Sequence, residues 1–178
     1  MPFNVQRFEQ SLAACVDDDA TAKLMAGCEA YDMIKSPAKK ARWIKGLMER
    51  LEKEVGQAVA REIMAGCGRQ CISRSLLEKA QKRWREAETI DGFLDKLNQA
   101  HIGGGNLRRE GDTILGSYER CYCGSVSQAA EPIPSTYCYC SCGWYKVLFE
   151  TVLERPVEVE LLNSIAQGAE ACRFAIHI

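Results

Sequence analysis

The chain has 178 residues, of which 47% are hydrophobic and 26% charged, so it can bury a core and is not a disordered polymer. Its net charge of -1 argues against a general nucleic-acid-binding protein. Ten cysteines are the unusual feature of the composition, because a chain of this length does not need a disulfide scaffold to fold.

No segment of the sequence predicts export or membrane insertion. The N-terminus lacks the basic start and apolar run of a secretory signal, and nowhere do about 18 apolar residues follow one another as in a membrane-spanning helix. We therefore expect a cytoplasmic protein with no membrane partner. Cytosolic thiols are kept reduced, and clustered cysteines there more often serve metal or redox chemistry.

Residues 1–100 predict a helical region. Ser36-Pro37 is typical of a helix start, with serine as N-cap and proline at the first helical position. Apolar residues then recur at three- and four-residue steps as far as Val55, which predicts one buried stripe. Gly66-Cys67-Gly68 predicts the end of this helix. A second stripe covers residues 72–84, and a short third one follows Asp91-Gly92.

The remaining residues, 101–178, predict a cysteine-rich region of mixed structure. Gly103-Gly104-Gly105 predicts a loop, because glycine has no preference for helix or strand. Glu110-Gly111-Asp112 predicts a turn between two short strands, with residues 113–123 as the second. Residues 125–136, which include two prolines, predict a loop, and the apolar spacing in residues 144–154 predicts a helix.

The end of the chain predicts a β-hairpin. Apolar and polar side chains alternate in residues 157–161 and again in 172–178, which is typical of strands with one buried face. His177, on the polar face, would then pair with Glu158 or Glu160 across the hairpin. The predicted fold class is α+β, with a helical N-terminal half and a small antiparallel sheet carrying a packed helix, the two regions forming one compact unit.

Seven of the ten cysteines fall into three groups, at Cys67 and Cys71, at Cys121 and Cys123, and at Cys138, Cys140 and Cys142. Residues two apart in an extended strand point to the same side. The thiols within each C-x-C segment would then share a face, and pairing of the two segments would bring up to five thiols together. The pair from the first group would close such a site.

Thiolates at this density are typical of a zinc site, with four ligands at about 2.3 Å, or of an iron–sulfur cluster. All seven grouped cysteines are therefore candidate metal ligands, although not all at once, and zinc is the favoured metal. Two other interpretations stay open. A free cysteine also acts as a small buried hydrophobe, the favoured interpretation for Cys15 and Cys28 and a rival for Cys172. A disulfide between the segments would suit a redox sensor.

Cys71 is also a candidate catalytic nucleophile. It precedes the second predicted helix, and Arg69 lies two residues away; a helix N-terminus and a cation are both typical surroundings of a reactive cysteine. His101, beside the glycine loop, could act as its base. The alternative is that Gly66 and Gly68 simply form a tight turn between two helices.

Residues 138–178 resemble the C-terminal part of the 4-vinyl reductase domain family. The shared features are Cys142-Gly143 opening a helix, a strand of alternating valines, and Cys172-Arg173-Phe174 in a closing strand, whereas Ser164 lies where that family often has another cysteine. The same ending resembles the L-2-amino-thiazoline-4-carboxylic acid hydrolase family. The whole chain resembles a bacterial cysteine-rich family related to both. The resemblance implies an α+β domain that binds a small molecule, often as a dimer, with cysteines that bind metal.

Two functions follow as predictions. The first is a domain that binds a small-molecule ligand or a metal through a cysteine-thiolate site. The second is a cysteine-dependent hydrolase of a small heterocyclic substrate, with Cys71 or a C-x-C thiol as the nucleophile. The exposed edge of the predicted hairpin, together with the resemblance, also predicts a homodimer.

Overall fold

The structure is a computed structural model that describes residues 3–178, and it confirms the α+β fold class. The helices and strands of these residues are α1 (Val5–Ala13), α2 (Asp18–Met25), α3 (Pro37–Arg69), α4 (Arg74–Arg85), α5 (Ile90–Gln99), β1 (Arg108–Glu110), β2 (Thr113–Tyr118), α6 (Tyr139–Leu153), β3 (Glu158–Asn163) and β4 (Cys172–His177). Short 3-10 turns join several of them. In the described residues, no helix combines the length and the apolar character needed to cross a membrane.

Helix α3 begins as the sequence predicts and ends later than expected. The side chain of Ser36 accepts a hydrogen bond from the backbone N–H of Lys39, and Pro37 occupies the first turn. At Gly56 the backbone adopts φ 77° and ψ 160°, which bends the helix at a conformation that side-chain-bearing residues rarely adopt. The helix then continues through Gly66-Cys67-Gly68 and ends at Arg69, one residue after the glycines at which the sequence predicts its end.

These glycines serve close packing rather than helix termination. A Cβ on Gly68 would lie 1.8 Å from the carbonyl oxygen of Cys140, and a Cβ on Gly143 would lie 1.9 Å from that of Ala65. Neither contact is possible with a side chain present, so α3 and α6 cross with their backbones touching. This crossing brings the C-terminal end of α3, with Cys67, against the N-terminal end of α6.

The sheet is antiparallel with strand order β1-β2-β4-β3. The Gly111 turn joins β1 to β2 as predicted, but β2 ends at Tyr118 rather than at residue 123. The predicted C-terminal hairpin is confirmed, and His177 Nε2 lies 3.9 Å from Glu160 Oε2 on its exposed face. The inner face of the sheet packs on α6, where the Tyr145 and Phe174 rings lie 5.1 Å apart.

The buried side chains form two hydrophobic clusters. The first joins α1, α2 and α3 to the segment that precedes α6, including Tyr137 and Cys138. The second joins α4, α5 and the sheet to the remainder of α6, including Tyr145 and Phe149. Both clusters therefore draw residues from the helical region, 1–100, and from the cysteine-rich region, 101–178, and α6 takes part in both.

Candidate functional site

A cavity of about 450 Å³ lies between the two hydrophobic clusters. Aromatic and aliphatic side chains line much of it, among them Phe3, Met64, Leu76, Tyr118, Tyr137 and Trp144. Seven cysteines also line it, namely Cys67, Cys71, Cys121, Cys123, Cys138, Cys140 and Cys172. In the described part of the chain, no aspartate or glutamate lines this cavity. The site is therefore apolar, rich in sulfur and free of carboxylates.

Six of the seven cysteines predicted as a site meet at this cavity, but not through paired strands. Cys121 and Cys123 lie in an irregular segment after β2, and Cys140 and Cys142 lie in the first turn of α6. The predicted C-x-C strands are therefore wrong. Residues two apart in a helix point about 200° apart, so Cys140 lines the cavity whereas Cys142 is buried in the second cluster.

Cys172, rather than Cys142, is the seventh cysteine that lines the cavity. It begins β4 and points to the buried face of the sheet, as the alternation of this strand indicates, and it also lines the cavity. Its sulfur accepts a hydrogen bond from the backbone N–H of Ile165 at 3.4 Å. The sequence does not link Cys172 to the site, because its neighbours there are distant in the chain.

Three of the thiols form one hydrogen-bonded group. The Cys121 and Cys140 thiols and the Tyr137 hydroxyl hydrogen bond to the Cys123 sulfur, and these contacts, that of Cys121 above all, hold the pKa of Cys123 below its usual range. The contact with Cys123, followed by burial, raises the pKa of Cys121 and of Cys140. One negative charge in this group therefore favours the Cys123 sulfur, and its two neighbours stay protonated.

Two other cavity cysteines are neutral thiols that pack as small side chains. Burial raises the pKa of Cys67 to about 11 and that of Cys138 to about 12. The Cys138 sulfur lies 2.9 Å from the buried hydroxyl of Ser164, which also accepts from the backbone N–H of Ala166. Ser164, the residue that differs from the 4-vinyl reductase pattern, thus contacts the cavity wall directly.

Cys71 also lines the cavity. It lies in the turn between α3 and α4, two residues before the N-cap Ser73, and so it is near the start of α4, as predicted, but outside the first helical turn. Arg69 forms an ion pair with Glu62, 2.6 Å away, rather than with this thiol. Within residues 3–178, no hydrogen bond joins Cys71 to His101, although both line the cavity.

The cation that contacts Cys71 is Arg7, which the sequence analysis missed. Arg7 lies on α1, is half-buried, and donates from Nη1 to the Cys71 sulfur at 3.0 Å. The two residues are 64 positions apart in the chain, and no local pattern links them. Only the packing of α1 against α3 could reveal the contact.

The predicted glycine loop forms another wall. Gly103 and Gly104 have positive φ values of 68° and 89°, and a Cβ on Gly104 would lie 2.3 Å from the carbonyl oxygen of Ser117. The loop therefore lies directly on β2. The Tyr145 hydroxyl donates to the carbonyl oxygen of Gly103 at 2.9 Å and ties the loop to α6.

The thiols do not form a ready-made metal site. Across residues 3–178, no group of three or more His, Cys, Asp or Glu side chains has an arrangement that could hold a metal ion. All ten cysteines are free thiols. Zinc and iron–sulfur binding by the cysteine groups stay predictions.

Fold and site together define an α+β domain built around an internal, thiol-lined cavity. Residues 5–178 match the family of unknown function DUF6144, and the chain belongs to this family. A comparison with curated proteins finds no match. A similar solved structure is the phenol-responsive sensory domain of the transcription activator PoxR with phenol, at 15% identity and a TM-score of 0.45, over 80% of this chain and 74% of that one. The relation to the 4-vinyl reductase and hydrolase families stays a prediction.

Proposed function

We propose that this chain is a small-molecule-binding domain whose ligand occupies the cavity between the two clusters. The observation that carries the proposal is the cavity itself. Its volume of about 450 Å³ falls within the range of about 300–1,000 Å³ that is typical of ligand sites. Its lining is mostly apolar with a few polar side chains, which is the usual composition of such sites.

The walls favour a planar, largely apolar ligand. Tyr118, Tyr137 and Trp144 offer aromatic surface, and their contacts with a flat ring would be offset-stacked or edge-on. The sulfur atoms beside them are polarisable and also pack favourably against aromatic rings. A ligand of one or two fused rings fits a cavity of this size.

The test compares two neighbouring leucines of α4. Leu76 lines the cavity and Leu77 does not, although both are half-buried. We expect one- and two-ring aromatic compounds to raise the Tm of the unmodified chain and of Leu77→Trp, because a ligand that binds only the folded state stabilises it. Leu76→Trp, which fills part of the cavity, should abolish the shift. The proposal fails if no compound binds, or if Leu76→Trp binds as well as Leu77→Trp.

A second candidate function is a thiolate metal site at Cys121, Cys123 and Cys140, whose thiols contact one another although, within residues 3–178, they are not arranged as metal ligands. Zinc bound there would replace the thiol protons. The test is the metal content of protein purified without oxygen or chelator. About one zinc per chain that is lost in Cys123→Ser and kept in the control Cys15→Ser would support the site. Metal-free protein would exclude it.

One candidate nucleophile for the predicted hydrolase, beside the C-x-C thiols, is Cys71, which lines the cavity and carries the Arg7 contact. A nucleophile there would react with a small electrophile far faster than the exposed Cys15. Alkylation kinetics followed residue by residue would decide the matter. Equal rates for the two thiols would argue against a hydrolase.

A further inference from the structure

Among the described residues that line the cavity, Arg7 is the one permanently charged side chain, and no carboxylate pairs with it. Arg7 lines the cavity, and in the described part of the chain its guanidinium forms no ion pair. Its hydrogen-bond acceptor is the Cys71 sulfur at 3.0 Å. Sulfur is a weak acceptor, whereas a guanidinium presents five donors in a planar fork. Most of the hydrogen-bonding capacity of Arg7 is therefore not used by this contact.

A half-buried guanidinium is costly to leave in this state. Removing a charge from water without a partner is unfavourable, and the planar fork of arginine matches a carboxylate through two parallel hydrogen bonds. The cavity wall supplies no carboxylate partner, since none of its described residues is an aspartate or a glutamate. An anionic group on a ligand would supply it.

Other features at the same end of the cavity also suit an anion. Ser73, the N-cap of α4, lines the cavity; its oxygen accepts from the backbone N–H of Leu76, and this leaves its hydroxyl proton available to donate. The N-terminal end of a 12-residue helix carries partial positive charge. His101 also lines the cavity and offers a ring nitrogen to a ligand.

We propose that the ligand is an aromatic or heteroaromatic carboxylate, with its carboxylate paired to Arg7 and its ring held by the aromatic and sulfur-lined walls. This inference rests on the proposed function and adds the chemical class of the ligand to it. The arginine acts as a specificity-determining residue, because it selects the anion over a neutral compound of the same shape. No covalent step is involved.

The test uses matched pairs of compounds, indole-3-carboxylate with its carboxamide and 2-naphthoate with its carboxamide. Each is titrated by calorimetry into the unmodified chain, Arg7→Gln and the control Arg85→Gln, an exposed arginine outside the cavity. We expect each acid to bind at least about tenfold more tightly than its amide, and Arg7→Gln to reduce that ratio to near one. The control should keep the ratio.

The affinity of Arg7→Gln for the neutral amides shows whether the variant still has an intact cavity. Unchanged amide binding with a lost preference for the acids supports the inference. Equal binding of acid and amide by the unmodified chain overturns the inference and leaves the proposed function standing. A preference for the acids that survives in Arg7→Gln also overturns the inference. If the unmodified chain binds neither the acids nor the amides, the inference is overturned and the result also counts against the proposed function.

Discussion

Gly143 of α6 lies so close to Ala65 of α3 that a methyl group on it would be 1.9 Å from the Ala65 carbonyl oxygen. Gly68 and Cys140 make the reciprocal contact across the same crossing. The distance between the two backbones is thus set by the absence of two side chains. Because the cavity cysteines of α3 and α6 flank this crossing, the crossing also sets where their sulfur atoms lie.

Gly143→Ala should therefore destabilise the protein by about 3 kcal/mol or more, since both backbones would have to separate. Gly46 is the matched control, because it lies in α3 with nothing within 4 Å of a Cβ and has no positive φ. Gly46→Ala should stabilise by about 0.5–1 kcal/mol through its higher helix propensity. Denaturant unfolding measures both. A Gly143→Ala variant as stable as the unmodified chain would contradict the close crossing.

Tyr145→Phe should cost about 1–2 kcal/mol, because it removes the buried hydrogen bond from the Tyr145 hydroxyl to the Gly103 carbonyl oxygen. Hydrogen exchange in the glycine loop should also become faster. Tyr139→Phe serves as the control, since the stacking of Arg61 over its ring at 4.9 Å does not need a hydroxyl. Similar stability losses in both variants would show that the hydroxyl of Tyr145 has no special role.

The ten thiols should differ widely in reactivity toward a maleimide. The exposed Cys15 and the half-buried Cys71 should react in the folded state, whereas the buried Cys28 and Cys142 should react only on unfolding. A ligand in the cavity should protect Cys71 and leave Cys15 unchanged, because Cys71 lines the cavity and Cys15 does not. Peptide mapping of the labelled protein over time gives the order. Protection of Cys15 by the same ligand would indicate a different binding site.

Stability should fall as the pH rises above about 9. Burial raises the pKa of Cys142 to about 12, above the value of 9.0 for an ordinary thiol, so the folded state holds this proton longer than the unfolded state does. Its contribution is complete below about pH 9 and declines by about 1.4 kcal/mol per pH unit above it, until the pKa of the folded state is reached.

Cys142→Ala should flatten that decline relative to Cys15→Ala, a substitution at an exposed thiol. Urea unfolding at several values between about pH 8 and pH 10.5 provides the comparison. If the two variants lose stability with the same slope, the thiol of Cys142 does not carry the effect.

The sequence predicts the fold class well, because periodicity and capping act locally. The start of α3 at Ser36-Pro37, the Gly111 turn and the C-terminal hairpin all follow from neighbouring residues. The end of α3 is predicted closely, but the packing role of its glycines is missed, because a glycine near a helix end gives the same pattern whether it ends the helix or allows another backbone to approach. Whether the glycine ends the helix or allows close packing depends on α6, about 75 residues further along the chain.

The candidate site is predicted only in part for the same reason. The grouping of cysteines singles out six of those that meet at the cavity, but Cys138, Cys140 and Cys142 are placed on a strand when they begin a helix. Helical geometry then separates Cys142 from its neighbours. Arg7 is missed altogether, because its contact with Cys71 exists only after α1 has packed on α3.

The position of the cavity has a consequence for how the molecule moves. Its walls are shared between two packing units, so it interrupts the dispersion contacts along their common boundary. We expect the two units, which share α6, to fluctuate separately along this boundary. A ligand in the cavity would contact both units, and local opening of one unit would then require the other to open with it. Ligand binding in the cavity would in this way change the dynamics of surfaces that the ligand does not contact.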